Sequence, residues 1–210
     1  MAIRINRVYT RSGDDGSTGL ADGSRQPKHG LRVSAYGEVD ELNSTVGLVV
    51  AALEEPPYTG SPDAARVREQ LGQVQQELFD LGGELATPPG SEREDMARIG
   101  QDQVSRLEGW IDELQAELSE LKSFVLPGGG TAGALLHLAR TVCRRAERSV
   151  CALLAEDDGC PGPLGYLNRL SDLLFVQARW MALKSGKDET LWLHGLGRTE
   201  GGKPRGDPGS

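Results

Sequence analysis

From Val39 to Lys184 the chain repeats one pattern, apolar residues at three- and four-residue steps, and that period commits it to helices. Val39, Leu42, Val46, Val49, Val50 and Leu53 form the first block, which Pro56-Pro57 ends. The second block has Ser61 as N-cap and Pro62 at its first position. It runs through Val67, Leu71, Val74, Leu78, Leu81 and Leu85 to Pro88-Pro89. Residues 88–99 read as a loop. A third helix, Gln101–Lys122, carries Val104, Leu107, Ile111, Leu114, Leu118 and Leu121 with acidic residues on its outer face. After the link that ends in Pro127-Gly128-Gly129-Gly130 come a fourth helix, Thr131–Ala155, and a fifth, Leu164–Lys184, separated by the polar loop Glu156–Pro163. Five amphipathic helices with short links predict an all-α, antiparallel five-helix bundle.

At 210 residues the chain suits one domain that buries about 70% of its unfolded surface. We place that domain at 1–194, with an arm at 1–35 and the bundle at 36–185. Residues 195–210 are rich in glycine and proline and read as a disordered tail. A formal net charge of -8 argues against nucleic acid as a partner, since phosphate-backbone binding needs a basic face. No apolar run reaches membrane-spanning length, and Met1–Val8 does not resemble a signal peptide, so a cytoplasmic protein is expected. Cys143, Cys151 and Cys160 fit neither a disulfide framework nor a zinc site, and Cys143 and Cys151 read as small core residues. His29, His137 and His194 are scattered, so no protein-held metal is expected; a metal that takes part arrives with a ligand.

The arm is unusual for a chain terminus. Residues 9–20, YTRSGDDGSTGL, combine Gly13, Gly16 and Gly19 with the hydroxyls of Thr10, Ser12, Ser17 and Thr18. Glycines that accept φ > 0 and hydroxyl donors suit a phosphate cradle, but the same composition makes a surface turn. Both readings stand on the residues alone. No Gly-Lys-Ser/Thr follows, so the segment is not a P-loop. One short strand is expected near Ile3–Tyr9.

Charge concentrates on helix four. Arg140, Arg144 and Arg148 stand four residues apart on one face, with Glu147 beside them and Arg145 turned away. Such like-charge pairs disfavour a helix by about 0.2–0.5 kcal/mol each. Either Glu147 and solvent offset this, or the row binds an anion; flanking Leu136, Ala139, Val142, Cys143, Ala146 and Val150 leave little of the helix to solvent and favour a sheltered, anion-binding row. On helix five Asn168, Asp172, Phe175 and Arg179 share a face and suggest a lined cavity or an interface. Asp172 is equally placed to pair with Arg169. Asp40 and Asn43 lie near the start of helix one.

These residues fall into blocks that resemble the PduO-type ATP:cob(I)alamin adenosyltransferases, from about Val8 to Trp192. The blocks are YTRSGDDGSTGL (9–20), RQPK (25–28), AYGEVDELNS (35–44), FDLGGELATP (79–88), SFVLPGG (123–129), LHLARTVCRRAER (136–148) and YLNRLSDLLF (166–175), in the family's order. The resemblance implies a five-helix bundle assembled as a homotrimer with active sites between subunits. It implies that Thr10, Arg11, Ser12, Gly13, Thr18 and Gly19 wrap ATP and that Lys28 meets its phosphates. Arg144, Arg145, Ala146, Glu147 and Arg148 complete the nucleotide site with Asn168, Glu147 lying near the ribose or adenine. Asp40 pairs with Arg140 across the subunit boundary, and Phe124 crowds the lower face of the corrin. Ser12 and Ser17 stand where threonine is usual, and both keep the hydroxyl.

The implied reaction is attack of cob(I)alamin cobalt on the ATP 5′ carbon, with tripolyphosphate leaving. The corrin supplies the nucleophile, so the protein needs no Ser-His-Asp set. Its work is alignment and charge, with Lys28, Arg144 and a magnesium ion offsetting the leaving group. A cob(II)alamin reductase and an adenosylcobalamin-dependent enzyme are the implied partners. A second reading, an escort that delivers adenosylcobalamin to such an enzyme, shares the same pocket; a third, a purely structural trimer, leaves the arginine row and the arm unexplained together.

Overall fold

The computed structural model describes residues 9–157 and 162–194. Two short strands, β1 (Ser17–Gly19) and β2 (Arg25–Pro27), form an antiparallel hairpin with Thr18 opposite Gln26. Five helices follow: α1 (Leu31–Glu54), α2 (Pro62–Leu85), α3 (Gln101–Gln115), α4 (Gly130–Glu156) and α5 (Gly162–Lys184). No helix among the described residues is long and apolar enough to cross a membrane. Residues 1–8, which hold most of the strand expected near Ile3–Tyr9, together with Cys160 and the tail at 195–210, lie outside the described residues.

The apolar positions read from the sequence supply the core. Leu42, Val46 and Val49 of α1 pack with Leu71, Val74 and Leu78 of α2 and with Leu136, Ala139 and Val150 of α4. Ser61 caps α2, its Oγ accepting from Ala64 N at 3.3 Å, and Asp63 complements the dipole in the first turn. Gly129 is the N-cap of α4 in the left-handed region (φ 81°), and a Cβ there would lie 2.8 Å from Ala182 Cβ. Gly133 brings α4 against its own entry loop, where a Cβ would collide with Gly128 O. These two contacts explain a glycine-rich entry at the α4/α5 crossing.

Side-chain bonds fix the direction of each helix. Arg32 meets Leu85 O at one end and Arg68 meets Glu54 (3.8 Å) at the other, so α1 and α2 are antiparallel; between them Asn43 and Gln75 bond each other's backbone carbonyls at 3.2 and 3.4 Å. The pairs Arg32–Asp157 and Arg145–Glu41 set α4 antiparallel to α1. Asn168–Glu147 near one end and the Gly133–Ala178 approach near the other do the same for α5 against α4. Arg66–Glu113 and Arg106–Glu77 join α2 to α3 in opposite directions. The ring α2-α1-α4-α5-α3 closes with one parallel pair, because Arg169 meets Glu108 (3.0 Å) and Lys184 meets Glu117 (2.6 Å). The bundle is therefore not antiparallel throughout; an odd ring of helices cannot alternate everywhere.

Two helix boundaries differ from expectation. α1 begins at Leu31 rather than near residue 36, because Arg32 is buried and held by Leu85 O (2.7 Å), Thr87 O (3.0 Å) and Asp157. α3 ends at Gln115 rather than Lys122. Residues 117–119 are drawn toward α5, where Lys184 takes Glu117 and Arg179 Nη2 donates to Ser119 O at 3.0 Å. Leu121, expected in the apolar stripe, is exposed as a result.

Candidate functional site

A cavity of about 550 Å3 opens between α4 and α5, lined by Arg144, Glu147, Arg148, Cys151, Leu164, Gly165 and Asn168. The 3.6-residue period aligns Arg144, Glu147, Arg148 and Cys151 on one side of α4. Asn168 Nδ2 donates to Glu147 Oε1 at 2.9 Å, and Arg148 Nη1 donates to Arg144 O at 2.9 Å. Among the described residues neither Arg144 nor Arg148 has a carboxylate partner, and both are exposed. The flanking apolar residues are buried as expected, yet the arginines are not sheltered with them. They stand on the outer edge of α4, and two guanidiniums facing one engaged carboxylate leave the cavity cationic.

The rest of the expected row separates. Arg145 turns to α1 and pairs with Glu41 and, at 3.9 Å, with Glu38, while Ala146 is fully buried; neither lines the cavity. Arg140 is half-buried, its guanidinium 5.5 Å from the Phe175 ring centroid. Asp172 takes the local option and pairs with Arg169 at 2.8 Å. Arg179 is buried against Glu189 rather than lining a cavity. Cys143 is a core residue whose Sγ donates to Leu167 O, and burial pushes its thiol far up. Cys151 was expected beside it but is exposed. Eight residues of an α-helix turn a side chain by about 80° beyond whole turns, enough to move Cys151 from the core stripe to the cavity wall.

The arm folds on itself. Arg25 binds Ser12 O and Ser17 Oγ and lies 3.4 Å from Asp15, whose carboxylate accepts Ser17 N at 2.9 Å and is held below its usual range by that bond and the Ser17 hydroxyl. Thr10 and Ser12 share a hydroxyl bond of 2.8 Å. Of the three glycines only Gly16 takes positive φ (83°); Gly19 lies in β1, and Gly13 sits in a tight space, where a Cβ would lie 3.1 Å from both Ser17 O and Lys28 Nζ. Arg11 is left-handed instead (φ 61°), a conformation that costs a non-glycine residue about 1–3 kcal/mol. The structure thus brings Gly13 and Lys28 together with Arg11, Ser12 and Thr18 nearby in sequence. It anchors this unit to the end of α2, where Ala21 N donates to Ala86 O at 3.1 Å. Thr10, Arg11, Ser12, Gly13, Thr18, Gly19 and Lys28 do not line the α4/α5 cavity of the same chain.

Asp40 belongs to a separate groove of about 450 Å3 between α1 and α2, with Tyr36, Gly37, Phe79, Gly82 and Gly83. It makes no ion pair with Arg140 within the chain. Phe124 is 79% exposed on the link between α3 and α4. No group of three or more His, Cys, Asp or Glu among the described residues could hold a metal ion.

With this geometry in hand, residues 8–181 match the family described as cobalamin adenosyltransferase. The chain belongs to that family. It is 46% identical over 202 residues to a corrinoid adenosyltransferase of Mycobacterium tuberculosis, covering 95% of this chain and 99% of the relative. A corrinoid adenosyltransferase of Bacillus subtilis is 46% identical over 180 residues, 86% of this chain and 89% of that one. Among solved structures, a variant PduO-type ATP:corrinoid adenosyltransferase from Lactobacillus reuteri, complexed with cobalamin and ATP, superposes with a TM-score of 0.81. It is 35% identical, over 89% of this chain and 99% of the other. The five-helix architecture of this adenosyltransferase-family chain is the one its motifs implied.

Several residues with work at or near the site carried little sequence signal. Arg25 was only one letter of the RQPK block, and its role in closing the arm needs the hairpin to be seen. Phe79 follows core residue Leu78 in α2 and is 76% exposed, the out-of-phase aromatic being the available clue. Trp192 pairs with Phe124 across 68 residues of sequence, and no periodicity could connect them.

Proposed function

We propose that this protein transfers the 5′-deoxyadenosyl group of ATP to cob(I)alamin, forming adenosylcobalamin and releasing tripolyphosphate. The observation that carries the reading is agreement along 95% of the chain with a corrinoid adenosyltransferase, coupled to a cavity that presents two guanidiniums without carboxylate partners among the described residues. A cobalt lone pair forms the cobalt–carbon bond at C5′ as the C5′–O bond breaks, and that bonding pair leaves on tripolyphosphate. Arg144 and Arg148 bind phosphate oxygens and counter the charge that builds on the leaving group. Asn168 holds Glu147 in place, leaving Glu147 Oε2 to meet the ribose or adenine. Magnesium would arrive with the triphosphate and help offset its charge, since among the described residues no cluster of His, Cys, Asp or Glu would hold it.

The arm residues Thr10, Arg11, Ser12, Gly13, Thr18 and Gly19 close over the nucleotide, and Lys28 adds an ammonium to the phosphates. These groups and the α4 arginines occupy different surfaces of one chain, which supports a homotrimer whose active sites form between subunits. In that assembly Asp40 of one subunit meets Arg140 of the next. Phe124, apolar and exposed, crowds the lower face of the corrin and excludes the axial ligand that keeps cobalt(II) hard to reduce. Alignment of cobalt, C5′ and the leaving oxygen supplies several kcal/mol more.

The test is formation of the cobalt–carbon bond, followed by the visible spectrum, from ATP, magnesium and cob(II)alamin with a reductant. Adenosylcobalamin and one tripolyphosphate per turnover are expected. Tight binding of adenosylcobalamin without turnover would replace the transferase reading with the escort one.

A further inference from the structure

Phe124 sits on a link, where a side chain has no helix to fix it, yet the reaction proposed above asks it to hold one position. The structure supplies a brace. Val125 and Leu191 form an antiparallel bridge, Leu126 N donates to Thr190 O at 2.8 Å, and Trp192 N donates to Phe124 O at 2.7 Å. Ser123 Oγ donates to Trp192 O at 2.8 Å. Alternation across such a pair puts Phe124 and Trp192 on one face, and their rings meet edge to face, 6.2 Å apart at 65°. His194 also meets the indole edge to face, at 5.1 Å.

The brace is itself anchored. Arg179 is buried and binds Glu189 through Nε (2.7 Å) and Nη2 (3.1 Å), while the same Nη2 reaches Ser119 O at 3.0 Å. One guanidinium therefore clamps the link that carries Phe124 and the segment that carries Trp192 to the same turn of α5. Lys187 N adds a bond to Ala182 O at 2.9 Å. Such a bidentate, buried pair resists displacement far better than a solvated one. Phe124, Trp192 and Leu193 nonetheless remain open to solvent. An anchored base below an apolar, exposed rim is the arrangement of a support, whereas a core packing element would bury the rings.

We infer that residues 187–192 form a brace that fixes the Phe124 ring, with Trp192 as its positioning residue and Arg179 as its anchor. The inference rests on the corrin reading of Phe124. Trp192 acts through Phe124 on the cobalt(II) stage of the reaction and has no part in ATP binding.

The experiment compares the wild type, Phe124→Ala, Trp192→Ala and Trp192→Phe in two assays, one starting from cob(II)alamin with reductant and one from chemically pre-reduced cob(I)alamin. The visible spectrum of bound cob(II)alamin with ATP is recorded alongside, since it reports whether the lower axial ligand is on the metal. Trp192→Ala is expected to lower turnover from cob(II)alamin about threefold to tenfold, the scale of one lost aromatic pair. Its loss from cob(I)alamin stays under about twofold, its KM for ATP is unchanged, and its spectrum shifts toward the ligand-on form. Trp192→Phe restores most of the spectrum and turnover because a ring remains at the edge of Phe124. Equal losses in both assays, or an unchanged spectrum, would overturn the brace. If the wild type forms no adenosylcobalamin, the transferase reading fails first; if Phe124→Ala shows the split and Trp192→Ala does not, the brace alone fails.

Discussion

Asn168 on α5 donates its amide hydrogen to Glu147 on α4 at 2.9 Å, a bond that spans the mouth of the cationic cavity. It engages one carboxylate oxygen, and the other makes no hydrogen bond among the described residues. Asn168→Ala frees the Glu147 side chain to swing toward Arg144 or Arg148 and neutralise it. The KM for ATP is expected to rise about tenfold with little change in kcat, the scale of one hydrogen bond to a charged group. Asn168→Asp, which sets two carboxylates side by side, should lose more. Steady-state kinetics in ATP decides; a KM within twofold of wild type in both variants removes Glu147 from the nucleotide site.

Among the described residues the Arg144 guanidinium has no carboxylate partner to release, so its loss reads on the ligand. Arg144→Ala should raise the KM for ATP by about tenfold to a hundredfold, with either oxidation state of the corrin. Arg144→Lys should recover only part, because an ammonium cannot reproduce the planar fork. An unchanged ATP dependence would place the phosphates elsewhere.

Among the described residues neither Asp40 nor Arg140 forms an ion pair; Asp40 lines the groove between α1 and α2, and Arg140 lies over the Phe175 ring. Reversing each charge separately, Asp40→Arg or Arg140→Asp, is expected to weaken trimer assembly in size-exclusion chromatography and to lower activity. The double reversal should restore a substantial part of both. Absence of any rescue argues against their meeting between subunits.

Arg32 ties the start of α1 to the end of α2 and to Asp157 after α4, and it is buried. Arg32→Ala strands the carbonyls of Leu85 and Thr87, at about 1–3 kcal/mol for a buried group left without a partner. The melting temperature should fall by about 2–12 °C, given 2–4 °C per kcal/mol at this chain length. A shift under about 2 °C would mean that water replaces the guanidinium without cost.

His137 packs edge to face on Phe175, and burial, with Arg140 nearby, lowers its pKa from the ordinary 6.5 although Glu189 opposes the shift. The unfolded chain then takes up a proton that the folded chain refuses. Stability is complete above about pH 6.5, falls as pH drops through that value, and levels off below the depressed folded pKa. Thermal melts of His137→Gln between about pH 5 and 7 should show a flatter dependence than wild type. Identical slopes would show that the imidazole titrates normally.

The bundle was legible because burial writes itself at a fixed period. Leu71, Val74 and Leu78 had to face inward once α2 formed, and Ser61-Pro62 marked where it began. Arg144, Glu147 and Arg148 were legible for the same reason, since one helix fixes their relation. Contacts between distant segments carry no period. The Arg32 carbonyl clamp, the Arg25 closure of the arm and the turn of Arg145 toward Glu41 each join residues that only the folded chain brings together. Cys151 shows the limit within a helix: eight residues look like two turns, yet the drift carries the thiol out of the core.

The parallel pair α3/α5 has a geometric cost that bears on chemistry. Consecutive helices in a hairpin are neighbours, but here α5 takes the place beside α4 that α3 would have filled, so the chain must travel from one side of the final helix to the other. That path, residues 116–129, passes over the end of α5 and cannot be shortened to a tight turn. Phe124 rides on the detour. In this chain the exposed ring stands on a link that the helix order itself lengthens, so an insertion or deletion in the detour would move Phe124 while leaving every helix intact.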